Sequence, residues 1–151
     1  MQKTRRNKIL TGIAGEYFVA AELSRRGYVA SITLRNTRGI DILASNADAT
    51  KSVGIQVKTT KGKKAYWLLS QKAEADILEN LFYAFVKLNG SGAPEYFIVR
   101  RAEVANYVRE NNKAWLAMPG KSGKPHRPNN IRVFRDPDNK YLDNWEVLGL
   151  D

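Results

Sequence analysis

Two apolar runs between Gly39 and Lys64, GIDILASNADATKSVGIQVKTTKGKK, constrain this chain most. Ile40 to Ala44 and Val53 to Thr59 read as strands, and the polar, turn-forming stretch Asn46 to Ser52 joins them as a hairpin loop. With the loop centred near Asp48 or Ala49, Asp41 comes opposite Gln56 to within one residue of register. Gln56 and Lys58 then share one face of their strand, while Ile55 and Val57 share the other. A slip of one residue reverses those faces, so the pairing register is what the fold has to fix.

Upstream, a helix is predicted from Thr11, a cap residue, to Gly27, which can end it in a left-handed conformation. The residues before Thr11 read as a loose basic arm carrying Lys3, Arg5, Arg6 and Lys8. At about 100° per residue, Ile13, Val19, Ala20 and Leu23 all fall within about 60° of Glu16. Glu16 therefore sits inside the apolar stripe, whereas Glu22 lies beside Arg25 and Arg26 on a charged side. An acid on a buried face costs on the order of 2–4 kcal/mol unless something pairs with it. An ordinary ion pair or an edge open to water would also satisfy it.

Tyr28 to Leu34 is a predicted strand, followed by a turn from Arg35 to Gly39. Downstream come a strand at Ala65 to Ser70, a helix capped by Ser70 and running to about Glu79, and strands at Leu81 to Leu88 and Glu95 to Val99. A helix from Ala102 to about Asn111, an exposed loop from Gly120 to Asn130, a short strand at Ile131 to Phe134 and a closing helix at Tyr141 to Leu148 complete the chain. Trp145 and Leu148 are expected to dock on the core. Residues 1–151 show no repeat and no linker, so one domain is expected, burying roughly 70% of its unfolded surface. The element order predicts an α/β fold: a mixed β-sheet flanked by helices on both faces.

Lys and Arg total 25 against 15 acids, a net charge of +10. That excess favours polyanionic partners, either nucleic acid or an anionic membrane surface. There is no cysteine, and His126 is the single histidine, which excludes disulfides, His/Cys zinc sites and sites built on several histidines. The basic start lacks a signal-peptide core and no run reaches membrane-spanning length, so a cytoplasmic protein is expected. Magnesium chemistry remains open. Mg²⁺ takes hard oxygen ligands and keeps several waters. Asp41 can supply a carboxylate, Gln56 a side-chain carbonyl and Val57 a backbone carbonyl, with Glu16 as further support. Lys58 beside them can orient or deprotonate a water, or stabilise charge on a phosphate. Taken singly, Asp41 is also an ordinary turn-flanking acid, and Lys58 a solvated strand position.

The combination is more specific. GEYFVAAELSRRGY, then GIDILA, then IQVKTT resembles the PD-(D/E)xK nuclease superfamily from Gly12 to about Thr60. The run from Gly12 to Gly27 also resembles the first helix of archaeal Holliday junction resolvases. Later segments, from FVKLNGSGAPEYFIV to Trp145, look like small bacterial members. The resemblance implies a restriction-endonuclease-like fold and a Mg²⁺-dependent DNA endonuclease, with Mn²⁺ as a substitute ion. Glu16 matches the helical acid, Asp41 the hairpin acid and Lys58 the motif lysine. Ile40 replaces the family proline, and Gln56 replaces the second acid, which removes one charge from the metal site. Two cuts on opposite strands would suit a homodimer.

Three readings of the whole chain follow: an endonuclease, a nucleic-acid-binding or accessory protein on the same fold, and a basic subunit docking on an acidic protein. Lys61, Lys63, Lys64, Lys121, Lys124, Arg127 and Arg132 either line a groove that tracks a DNA backbone or form a scattered solvated surface. His126 is an exposed loop residue or a DNA contact. Of Tyr66 and Trp67, one can stack on bases while the other points into the core.

Overall fold

The computed structural model describes residues 2–34, 39–75 and 78–151. Helix α1 (Gln2–Arg25) is followed by strands β1 (Val29–Ile32), β2 (Ile42–Ser45), β3 (Ser52–Thr60) and β4 (Tyr66–Ser70). Then come β5 (Leu81–Lys87), β6 (Glu95–Arg100), helix α2 (Arg101–Ala117) and β7 (Ile131–Arg135). Five strands form one sheet in the order β1-β2-β3-β5-β6. β1, β2 and β3 run antiparallel in turn, β5 lies parallel to β3, and β6 returns antiparallel.

The strand after β3 does not join that sheet. β4 pairs with β7 in a separate two-stranded ribbon. Its residues explain why: Trp67 and Leu69 are buried while Tyr66 and Leu68 are exposed, a one-sided strand suited to covering a face. β5, by contrast, is apolar on both faces and takes the inner place beside β3. On one face of the sheet, Val19 and Leu23 of α1 pack with Ile42, Ile55, Ala84 and Ile98, and Trp145 and Leu148 dock there. On the other, Val104 and Val108 of α2 pack with Tyr83, Phe85, Phe97, Phe134 and Trp67. The Trp67 indole N–H donates to the Val86 carbonyl across that layer (3.0 Å).

Several boundaries move. The basic arm before Thr11 is helical, because nothing in it breaks a helix and Thr11 is an interior residue whose hydroxyl donates to the Asn7 carbonyl (2.7 Å). Gly27 ends α1 as expected, with φ of 89° and Tyr28 N–H reaching back to the Leu23 carbonyl (3.0 Å). Within the helix expected from Ser70 to about Glu79, Gln71–Glu74 form a 3₁₀ turn and Ser70 makes no side-chain cap, while residues 76 and 77 lie outside the described residues. α2 continues to Ala117. The closing helix shrinks to a 3₁₀ turn at Trp145–Leu148, since Asp143 adopts a left-handed conformation (φ 51°) that interrupts it. The predicted turn at residues 35–38 lies outside the described residues. Among the described residues, no helix is long and apolar enough to cross a membrane.

Candidate active site

The hairpin register decides where the acid sits. Ile42 pairs with Ile55, so Asp41, one residue back, comes level with Gln56 where the β2–β3 ladder ends. Asp41 is held there from two sides. Its N–H donates to the Ile55 carbonyl (2.8 Å), and its own carbonyl accepts from the Thr33 N–H (2.9 Å). The Thr33 hydroxyl donates to the neighbouring Ile40 carbonyl (2.6 Å). The Asp41 carboxylate then takes over the next strand amide: Oδ2 accepts from the Val57 N–H at 2.7 Å. A charge-assisted bond of this length fixes the side chain against β3 and leaves the other oxygen for a different partner.

Glu16 reaches the same place from α1. Its stripe packs as the periodicity requires, with Val19 and Leu23 fully buried and Glu16 half-buried. Glu16 and Asp41 line one cavity of about 310 Å³, together with Lys8, Gly12, Ile13 and Thr33. The helix that carries Glu16 lies close on β3. A Cβ on Gly15 would fall 1.8 Å from Thr59 Oγ1 and 3.0 Å from Thr59 Cβ, so only glycine lets α1 lie this near β3.

Gln56 and Lys58 belong to the opposite side of the sheet. Val53, Ile55 and Val57 pack into the α1-side core, so strand alternation turns Gln56 and Lys58 toward the side of α2. Neither lines the cavity shared by Glu16 and Asp41. Gln56 is held by Arg101, the first residue of α2, whose Nη2 donates to Gln56 Oε1 (3.1 Å) and whose Nη1 donates to the Gly39 carbonyl (3.2 Å). Arg101 is only 7% exposed and lies over the Tyr83 ring. Burial pushes the Lys58 pKa below its ordinary value; nearby Asp41 opposes the shift and nearby Arg101 adds to it. Thus Asp41 stands between two groups, Glu16 on one side and Gln56 with Lys58 on the other.

Arg101 joins the site unannounced by the hairpin motif, yet its own helix carries a signal for it. Arg101, Val104, Ala105 and Val108 are spaced i, i+3, i+4, i+7, and all four are buried. The stripe test applied to Glu16 flags an arginine inside an apolar face in the same way.

The basic residues divide. Lys61, Lys63, Lys64, Lys121, Lys124 and Arg127 are exposed. Arg132 is not part of an open surface: it is 6% exposed, ion-paired to Glu74, and donates to the Asn129 and Ile131 carbonyls (both 2.9 Å). Its position inside the β4–β7 layer explains the difference, because β7 alternates and Arg132 and Phe134 share the inward face. His126 is half-buried, stacked on Trp115 with ring centroids 4.0 Å apart. Of the aromatic pair, Trp67 is the core residue, and Tyr66 is exposed with the Arg135 guanidinium over its ring.

No protein-family model matches this chain. No curated protein matches it. Among solved structures, Hjc, a Holliday junction resolvase of Archaeoglobus fulgidus, aligns at 16% identity over 83% of this chain and 84% of its own, with a TM-score of 0.48. A bacterial homing endonuclease, I-Ssp6803I, aligns at 9% identity over 93% of this chain and 90% of its own, with a TM-score of 0.52. The fold is restriction-endonuclease-like. The likeness to I-Ssp6803I shows the fold alone, because identity this low does not carry chemistry from one chain to the other.

Proposed function

We propose that this chain is a Mg²⁺-dependent DNA endonuclease that hydrolyses phosphodiester bonds at Asp41. The observation that carries the reading is the Asp41 carboxylate, anchored to Val57 N–H at the ladder's end and lining one cavity with Glu16. The donor set suits a hard cation that takes one or two protein carboxylates and keeps several waters. Among the described residues, no group of three or more His, Cys, Asp or Glu can hold a metal, so the set is a minimal one. Glu16, Asp41 and the Val57 carbonyl would hold the ion. Gln56 is a weaker donor than expected, since its carbonyl already accepts from Arg101. Bound there, Mg²⁺ would activate a coordinated water and offset charge on the phosphodiester.

The chain's own groups divide the remaining work. Lys58, with its lowered pKa and its place beside Asp41, exchanges a proton with water more readily than an ordinary lysine. Arg101 is a positioning residue that keeps Gln56 and the Gly39 carbonyl fixed. DNA is the expected partner of the +10 chain, and a homodimer would bring two sites to opposite strands. Incubation with linear, supercoiled and branched DNA in Mg²⁺ or Mn²⁺ tests the reading. Cleavage is expected for the wild type and not for Lys58→Ala; cleavage by neither protein, or equally by both, refutes it.

Arg101's hold on Gln56 favours one second reading: the same fold binding nucleic acid without cutting it. Salt-dependent binding, indifferent to EDTA and without cleavage on any substrate, would establish that reading instead.

A further inference from the structure

Away from Asp41, an open groove of about 490 Å³ runs between the second half of α2 and β7. Tyr107, Asn111, Trp115 and Met118 of the helix side face Ile131 and Arg135 of the strand. Trp115 is 37% exposed, Met118 62% and Ile131 60%, an unusual amount of open apolar surface for one groove. Its rim is strongly cationic. From Asn111 through Arg135 there is no Asp or Glu, while Lys121, Lys124, Arg127 and Arg135 in that span are exposed. Glu110 is paired with Lys113 and Glu74 with Arg132.

The basic loop is tied to the groove through one of its lining residues, Trp115. His126 stacks on Trp115 (22° between rings), and Gly120 N–H donates to the Lys124 carbonyl (2.8 Å), closing the turn that carries Lys121. At the other end, Arg135 lies 5.1 Å over the exposed Tyr66 ring, just after the Lys61–Lys64 turn that follows Lys58 and β3. Arg135 therefore links the groove to β4, the strand that follows the Lys61–Lys64 turn.

We propose that the α2–β7 groove binds an unpaired stretch of nucleic acid. Bases lie against Tyr107, Trp115 and Met118, and phosphates meet Arg135, Lys121, Lys124 and Arg127. Aromatic faces accept any base, and flanking cations follow the backbone. An apolar peptide would not need the acid-free rim, whereas a polyanion with flat apolar faces uses both features. The proposal shares with the nuclease reading only the premise that the chain meets nucleic acid, and it does not require cleavage.

The fluorescence of the protein gives a direct readout. Trp67 and Trp145 are 2% exposed, so quenching by a stacked base falls on Trp115. Ten-nucleotide oligothymidylate and oligouridylate are titrated in EDTA at low salt against a duplex of equal length. Quenching by either single strand, with tighter binding than the duplex, is expected; the two arms separate DNA from RNA. Read by the anisotropy of end-labelled oligonucleotides, which does not depend on the tryptophan, Trp115→Ala should weaken binding at least about fivefold. Arg135→Gln should reduce the slope of log affinity against log salt by about 0.7. Arg25→Ala, at the far end of α1, should change neither, and melting curves confirm that the variants fold. Absence of quenching, tighter duplex binding, or wild-type affinity in folded Trp115→Ala overturns the proposal. EDTA keeps the result separate from cleavage at Asp41.

Discussion

At the scale of single residues, the Val57 N–H to Asp41 Oδ2 bond fixes the acid against β3, and the close approach of Gly15 to Thr59 lets α1 lie against the same strand. Thr59 Oγ1 is buried without a hydrogen-bond partner, facing the helix backbone where Gly15 has no side chain. Gly15→Ala should therefore destabilise the fold by about 1–3 kcal/mol in urea denaturation, although alanine is the better helix former. The Thr59→Ala change made in addition should recover part of that loss, because it removes the nearest atom. Lys58 bears the opposite relation to stability. Its pKa is lowered in the fold, so between that value and the ordinary 10.5 the unfolded chain holds more protons and stability rises with pH. Lys58→Met should remove that rise in alkaline solution, stabilise the protein near neutral pH by about 1 kcal/mol, and abolish cleavage. Thermal melts across pH together with a cleavage assay check the three outcomes.

At the scale of elements, the hairpin is legible in the sequence and the crossover is not. Alternating apolar residues and a polar loop locate β2 and β3 and their register, because local pairing leaves a local pattern. β4 has an equally clear strand signal, yet its partner β7 lies some sixty residues on and leaves no trace near it in sequence. The helix stripe containing Glu16 is readable because its neighbours share a 3.6-residue period. Arg101 carries the same kind of signal, in a helix whose stripe is shorter. Gln56 looks like a metal ligand on its own strand, and only the packing of α2 reveals that its carbonyl is engaged. The N-terminal extension of α1 also changes what the element does. Lys8 and Ile9 become part of the cavity wall, instead of belonging to a loose arm. A chain beginning at Thr11 should keep the sheet but show weaker helical signal in circular dichroism. Its DNA affinity should have a shallower salt dependence, by about 0.9 in slope for each phosphate that Arg5, Arg6 and Lys8 neutralise in the full chain.

For the whole molecule, the sheet separates the two helices and leaves Asp41 at the ladder's end between their sides. Glu16 approaches from the α1 side, and Lys58 with the Arg101-bound Gln56 approaches from the α2 side. This arrangement concentrates two acids and two cations around one strand end in a chain whose net charge is +10. Composition points to a polyanion, but it cannot say which cations share a surface. The fold removes Arg132 from that surface and sets Arg135 in the α2–β7 groove, whose Trp115 carries His126 of the basic loop. Whether Asp41 is the centre of a metal-dependent nuclease is decided by single-turnover cleavage of supercoiled DNA in Mg²⁺, comparing the wild type with Asp41→Asn. Mg²⁺-dependent nicking is expected, stopped by EDTA and slowed about a hundredfold or more in Asp41→Asn. Nicking that survives EDTA, or that proceeds in Asp41→Asn at the wild-type rate, would contradict the assignment.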